Sequence, residues 1–204
     1  MAGTEDQAAA IAAHLPAGGR RRLVALAGPP ATGKSTLAEV LCARLLAGGQ
    51  SAVVVPMDGF HLDNRILAAR GLLARKGAPE TFDAEGFIAL IRRLKSGAEV
   101  FAPLFDRARD IAVAGACVIP ATAGTVIVEG NYLLLDEAPW RALAPLWDFA
   151  VFVDTPEDEL RERLNARWRA HGLDEAAARA RAEGNDLPNA RRVLGTRLPA
   201  DLTL

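Results

Sequence analysis

Gly28-Pro29-Pro30-Ala31-Thr32-Gly33-Lys34-Ser35, followed by Thr36, is the stretch on which the reading of this chain turns. It fits G-x-x-x-x-G-K-[ST], and each fixed position has a physical reason. Backbone N–H groups must curl around phosphate oxygens, and glycines let the main chain come that close. A lysine at position 34 reaches the outer phosphates of a nucleotide, and the Ser35 hydroxyl can ligate Mg2+. The helix that follows adds its positive N-terminal end. Background composition produces the bare pattern in about 1% of chains of this length. Its setting here is the one that gives the pattern meaning. Residues 22–27 (RLVALA) read as a buried strand, and Leu37, Val40, Leu41, Arg44 and Leu45 fall at helical spacing up to Gly48-Gly49. Gly28 through Thr36 are therefore the expected ATP-binding residues.

Outward from that loop, strands and helices alternate. Residues 52–57, 125–128 and 149–153 are short apolar runs read as further buried strands. Residues 62–70, 84–95 and 140–147 read as helices, and 100–124 as short strands and turns. A helix at 6–15, closed by Pro16 and Gly18-Gly19, precedes the first strand. Thr155-Pro156 opens a long arginine-rich helical region, with Asp154 its expected cap, and the tail ADLTL is a candidate last strand. Alternation of this kind predicts an α/β fold, a three-layer sandwich with a parallel sheet covered by helices on both faces. The expected organisation is a single domain over 1–204, with a helix and connector at 1–21 and a small helical lid around 156–187.

Composition narrows the function classes. The chain has 204 residues, 50% hydrophobic and 24% charged, the profile of a folded domain, and no run of about 18 apolar residues is free of charge. A net charge of −1 gives no electrostatic footprint for nucleic acid. Acids precede the first arginines, the wrong order for a secretory signal, and Cys42 and Cys117 are far apart, so a reduced cytoplasmic setting is expected. The expected partner is a small-molecule substrate, with neither nucleic acid nor membrane; a homodimer is open, since Trp140, Trp147 and Trp168 are readable as core or interface.

Ligands of open α/β sheets bind beyond the carboxyl ends of the strands, where Asp58, Glu129 and Asp154 stand. Asp58 is expected to orient and deprotonate an acceptor hydroxyl, Glu129 to hold Mg2+ directly or through water. His61 is an even choice between substrate contact and structural hydrogen bonder. Arg163 and Arg167, four apart, share a helix face and are expected to close over the phosphates as a lid that excludes water. The competing reading of that face is a solvated Glu159–Arg163 pair.

These segments together, from about residue 22 to 197, resemble the phosphoribulokinase/uridine kinase superfamily of P-loop kinases, bacterial type pantothenate kinase included. MDGFHLDNRIL is similar to the pantothenate kinase segment around its catalytic Asp, which implies that role for Asp58. RKGAPETFD is similar to the family's K-G-x-P-x-x-[YF]-D, and by the uridine kinase comparison Asp83 contacts substrate. PLFDRARD resembles P-x-[YF]-D and implies Arg107 and Arg109 as substrate contacts; VIVEGNYLLL matches the strand with the metal-associated Glu129 and adds Tyr132; NDLPNA points to Asn185 and Asn189. The chain is about a hundred residues shorter than pantothenate kinase, and its single tyrosine cannot build an aromatic pantothenate pocket. Its nearest likeness is a bacterial branch called nucleoside/nucleotide kinase or fructose transport system kinase. The implied function is an ATP- and Mg2+-dependent kinase acting on a hydroxyl of a small metabolite: a sugar such as fructose, a nucleoside or a pantothenate-like alcohol. The alternative is a regulatory ATPase that binds nucleotide without phosphotransfer. A GTPase switch is disfavoured because no Asn precedes a Lys, as N-K-x-D requires. Kinases of the shikimate or gluconate type share the loop and the Asp, without the ETFD and PLFD segments.

Overall fold

A computed structural model describes residues 3–17 and 21–204. Five strands form one parallel sheet in the order β2-β5-β1-β6-β7, where β1 is Arg22–Ala27, β2 Ala52–Pro56, β5 Thr125–Gly130, β6 Phe149–Phe152 and β7 Leu202–Thr203. Strand β1 lies in the middle, pairing Leu23 with Val126 on one side and Val24 with Phe149 on the other. After Arg22 it is apolar throughout, because both of its faces are covered. Leu23 and Ala25 point into a layer shared with Phe87, Ile91 and Leu94 of helix α4 (Ala84–Lys95), together with Trp140. Val24 and Leu26 point the other way, onto Leu37, Leu41 and Leu45 of helix α2 (Lys34–Ala47) and Ile11 of helix α1 (Thr4–His14). The expected three-layer sandwich is the one found. Either layer depends on close packing, and truncating Leu41 to Ala would cost about 2–5 kcal/mol.

Helix α3 (Asn64–Ala69) starts where Asp63 accepts a hydrogen bond from Arg65 N at 2.8 Å, two residues later than the spacing suggests. The expected strands of 100–124 form an antiparallel hairpin, β3 (Val100–Asp106) and β4 (Ile111–Ile119), whose register shifts around Pro103, which cannot donate to the ladder. Of helices α5 (Glu157–Ala170), α6 (Glu175–Arg181) and α7 (Leu187–Gly195), the first and third share a separate apolar cluster of Leu160, Leu164, Leu187 and Ala190. A π-helical turn, Ala182–Asp186, joins the last two and was not foreseen.

Two corrections concern local structure. Asp154 does not cap α5: the cap position is Pro156, with no side-chain bond, and Asp154 instead uses its main-chain N–H to bind Leu204 O at 2.9 Å, anchoring the tail. Strand β2 stops at Pro56, so Asp58 lies in a 3-10 turn, Met57–Phe60, beyond the strand. The Gly18-Gly19 expected to end α1 lies outside the described residues. Arg21, 7% exposed and without a carboxylate, donates to the carbonyls of Ala123, Leu94, Ala98 and Pro120 at 2.7–3.2 Å, tying the start of β1 to the end of α4 and to the turn after β4.

Candidate active site

The carboxyl ends of β1, β2 and β5 open into a cavity of about 690 Å3. One wall is the loop between β1 and α2. Gly28 (φ +154°) passes so close to β6 that an added Cβ would lie 2.6 Å from Val153 O, and Gly33 (φ +88°) turns the chain into α2. Ala31 also has a left-handed φ of +66°, a conformation costly for a residue with a side chain. Pro30, Ala31, Gly33, Lys34, Ser35 and Thr36 face the cavity. Gly28, Pro29 and Thr32 lie behind them, where the Thr32 hydroxyl donates to Pro29 O at 3.1 Å. Lys34 is 6% exposed, and its ammonium donates to Pro29 O at 2.7 Å. Burial pushes its pKa down to about 8; the Glu129 and Asp58 carboxylates oppose that shift and Arg167 adds to it.

Glu129, at the end of β5, is 6% exposed, and burial pushes its carboxyl up, against the pull of the Lys34 charge and the Ser35 hydroxyl. Asp58 faces the same space, paired through Oδ2 with Arg107 Nη2 at 2.7 Å. Gly59 lets the hairpin approach that turn, since a Cβ there would overlap the Pro103 carbonyl. The His61 ring is held by Asp58 O at 2.8 Å and lies 4.0 Å from Phe82 and 4.7 Å from Phe105, centroid to centroid. Its burial lowers its pKa.

The cavity also takes in groups that sequence reasoning missed. Lys76 binds Asn64 Oδ1 at 2.7 Å and Asp110 Oδ1 at 2.8 Å. Trp168 donates its indole N–H to Asp186 Oδ2 at 2.6 Å, with Arg167 and Arg181 over its ring at 5.7 and 5.2 Å. Burial raises the Asp186 carboxyl. Signals were available: Lys76 is a rare lysine in an arginine-rich chain and stands in RKGAPETFD, Asp110 ends PLFDRARD and Asp186 lies in NDLPNA, but the expectation fell on other residues of those segments. Of the Asn185 and Asn189 pair, Asn189 lines the cavity while Asn185 donates to Lys76 O at 2.9 Å.

Besides Gly28, Pro29, Thr32 and Asn185, four expected residues do not line the cavity. Asp83 caps α4, accepting from Gly86 N at 2.9 Å. Arg109 is taken by Asp106 in its own turn at 2.7 Å. Tyr132 is fully buried, its O–H spent on Gly77 O and its pKa far above the ordinary value for want of solvent. Arg163 pairs with Glu159, as the competing reading had it, and donates to Ala31 O at 3.2 Å, so it touches the loop from behind. Arg167 does face the cavity.

The Ser35 hydroxyl and the Glu129 carboxylate are hard oxygen donors of the kind Mg2+ accepts. Among the described residues no group of three or more His, Cys, Asp or Glu side chains forms a metal cage, which suits an ion that takes its other ligands from nucleotide phosphates and water. No helix in the described residues is long and apolar enough to cross a membrane.

A phosphate-binding loop at the carboxyl edge of a parallel sheet, opening into a cavity lined by acidic and basic side chains, is the architecture of the ATP-binding P-loop kinases. Residues 23–179 match the Phosphoribulokinase / Uridine kinase family, and the chain belongs to it. It is 41% identical to the Escherichia coli (strain K12) protein YggC over 90% of this chain and 77% of that one. It is 38% identical to the ATP-dependent kinase-like protein notR' of Aspergillus versicolor, over 70% of this chain and 90% of that one. The crystal structure of a "putative fructose transport system kinase" from Silicibacter sp. TM1040 superimposes with a TM-score of 0.93 at 52% identity, covering 100% of both chains.

Proposed function

We propose that the chain transfers the γ-phosphoryl group of ATP to a hydroxyl of a small metabolite in the cytoplasm: a sugar such as fructose, a nucleoside, or a pantothenate-like alcohol. The observation that carries this reading is that Lys34, Asp58 and Glu129 share one cavity, with an acceptor-sized space lined by His61, Phe82 and Phe105 beside Asp58. The name carried by the Silicibacter relative brings fructose to the head of the acceptors to test.

In this reading the loop amides and Lys34 hold the β and γ phosphates. Ser35 and Glu129 hold Mg2+, which when bound neutralises charge on the phosphate oxygens. Asp58 exchanges its bond to Arg107 for one to the acceptor hydroxyl and takes its proton. The acceptor oxygen bonds to the γ-phosphorus while the bond to the β-phosphate oxygen breaks, and ADP leaves. Arg167 stabilises the charge in transit, and 156–187 works as a lid on a one-domain kinase, keeping water from the phosphoryl group.

The test is ADP release from MgATP with fructose, uridine, pantothenate and glycerate, using Asp58→Asn as control. Stimulation by one acceptor, lost in the variant, is the expected result. Background turnover with every acceptor while ATP still binds would shift the weight to a nucleotide-binding regulator.

A further inference from the structure

We propose that the phosphate acceptor is an uncharged polyhydroxyl compound, and that Asp186 selects it by accepting a hydrogen bond from one of its hydroxyls. The inference rests on the kinase reading above and narrows its substrate.

The first ground is what the cations of the acceptor side already hold. Lys76 Nζ donates to Asn64 Oδ1 at 2.7 Å and to the Asp110 carbonyl at 3.1 Å, and is ion-paired with Asp110 Oδ1 at 2.8 Å, so its charge is already matched. Arg107 lies on Asp58 at 2.7 Å. Arg181 donates to the carbonyls of Ala74 at 2.8 Å and Lys76 at 3.3 Å, with its guanidinium over Trp168. Arg167 has no carboxylate hydrogen-bond partner among the described residues; its charge is felt by both Lys34 and Asp186, and in the lid reading it lies over the phosphates. Arg107 comes free only as Asp58 takes the acceptor hydroxyl, at the reacting oxygen; elsewhere a carboxylate or phosphate on the acceptor would have to displace Asp110 from Lys76, in a cavity also lined by Asp186. Leaving a half-buried carboxylate without its cation is costly, and that cost rejects the anion.

The second ground is what the cavity leaves free. Asp186 Oδ2 accepts the Trp168 N–H at 2.6 Å, while Oδ1 has no protein donor among the described residues. The carboxyl ends the π-helical turn Ala182–Asp186, a kind of turn that re-aims side chains and recurs at functional sites. Its neighbours Asn185 and Asn189 are each 2% exposed and bonded to one another at 3.4 Å, so the turn is fixed in place. A carboxylate oxygen that faces the cavity without a protein donor is open to a substrate O–H. Phe82 and Phe105 also line the cavity, packed on the His61 ring, and give this side an apolar wall. Sites that bind a substrate hydroxyl in this way discriminate steeply against compounds that lack it.

The experiment supplies the protein with MgATP carrying 18O in its γ-phosphate and a protein-free bacterial metabolite extract. Labelled esters are separated by anion exchange and identified by mass. The expected product is an ester whose only ionised group is the transferred phosphate. With its parent alcohol as acceptor, Asp186→Asn is expected to lower kcat/KM about 10–100-fold, through the acceptor KM, leaving the KM for ATP unchanged. Asn keeps an oxygen for the Trp168 N–H, so the variant tests the charge and not the fold. A labelled ester bearing a carboxylate or a second phosphate overturns the inference and leaves the kinase reading standing. An unchanged acceptor KM in Asp186→Asn removes Asp186 from the selection. No labelled ester at all, with ATP still bound, overturns the kinase reading and this inference with it.

Discussion

The two halves of the cavity are built on opposite plans. The half proposed to hold phosphate is built mainly from one continuous stretch, residues 28–36, with Glu129 and Arg167 added from β5 and α5, and is held by main-chain geometry: a close approach at Gly28, a left-handed turn at Gly33, and a lysine lying on its own loop carbonyl. The acceptor half comes from pieces near residues 58, 76, 107, 168 and 186, joined by side-chain bonds such as Asp58–Arg107 and Lys76–Asp110. Main-chain geometry is set locally and serves any nucleotide triphosphate. Side-chain pairs across remote segments can be exchanged one at a time, so that half is free to differ from one kinase to the next while the first stays the same.

The sharpest way to break this division is Asp58→Asn. It is expected to lower kcat by about 10²–10⁴-fold while ATP binding is kept, as measured by ADP release and nucleotide titration. Loss of ATP affinity instead would mean that the halves are one unit. Lys34→Met attacks the other half and should lower turnover about 10²–10³-fold with any acceptor. It also carries a pH signature. The folded-state pKa, about 8, lies below the ordinary 10.5, so the unfolded chain binds more protons between those values and the penalty of burying Lys34 fades as pH rises through that window. Ligand-free Lys34→Met should therefore exceed the parent in Tm at pH 7.5, by up to about 3 kcal/mol of stability, and the gap should close towards pH 10.5. A constant gap would contradict the buried, depressed lysine.

Two smaller changes sharpen the comparison from the acceptor side. Gly59→Ala pushes the Pro103 carbonyl away from the Asp58 turn and should cost about 1–3 kcal/mol in thermal unfolding, with a raised acceptor KM and an unaltered KM for ATP. Lys76→Met releases Asn64 and the hairpin turn at Asp110. A several-fold rise in acceptor KM is expected, again without effect on ATP, and an effect on ATP alone would place Lys76 in the wrong half.

What the sequence made legible follows the same line. The sheet, its two helical layers and the 28–36 loop were readable because each depends on neighbours in the chain: the run 22–27, the helical spacing from Leu37 to Leu45, the paired glycines. Asp58, Glu129 and Arg167 were readable as candidates because strand ends and helix faces have a known direction. Lys76, Asp110 and Asp186 were passed over although their segments were legible, since which side chain of a segment turns to the cavity depends on partners elsewhere in the chain, such as Asn64 and Trp168. Asp83, Arg109 and Tyr132 were drawn into the site by their segments, yet each is spent locally: on a helix cap, on Asp106, and on Gly77. A motif fixes where a segment lies, and the rotamer of each side chain within it is decided by whichever partner is nearest.

Trp168 has an optical consequence. Trp140 is sunk in the core and Trp147 is tied to Leu133 O, whereas the Trp168 indole lines the cavity between two guanidinium groups and donates to a carboxylate. Replacing Trp140 and Trp147 by Phe would leave a protein whose emission comes from one chromophore at the mouth of its own site. Nucleotide and acceptor binding would then each be visible as a change of colour or quenching, in real time and without any attached dye.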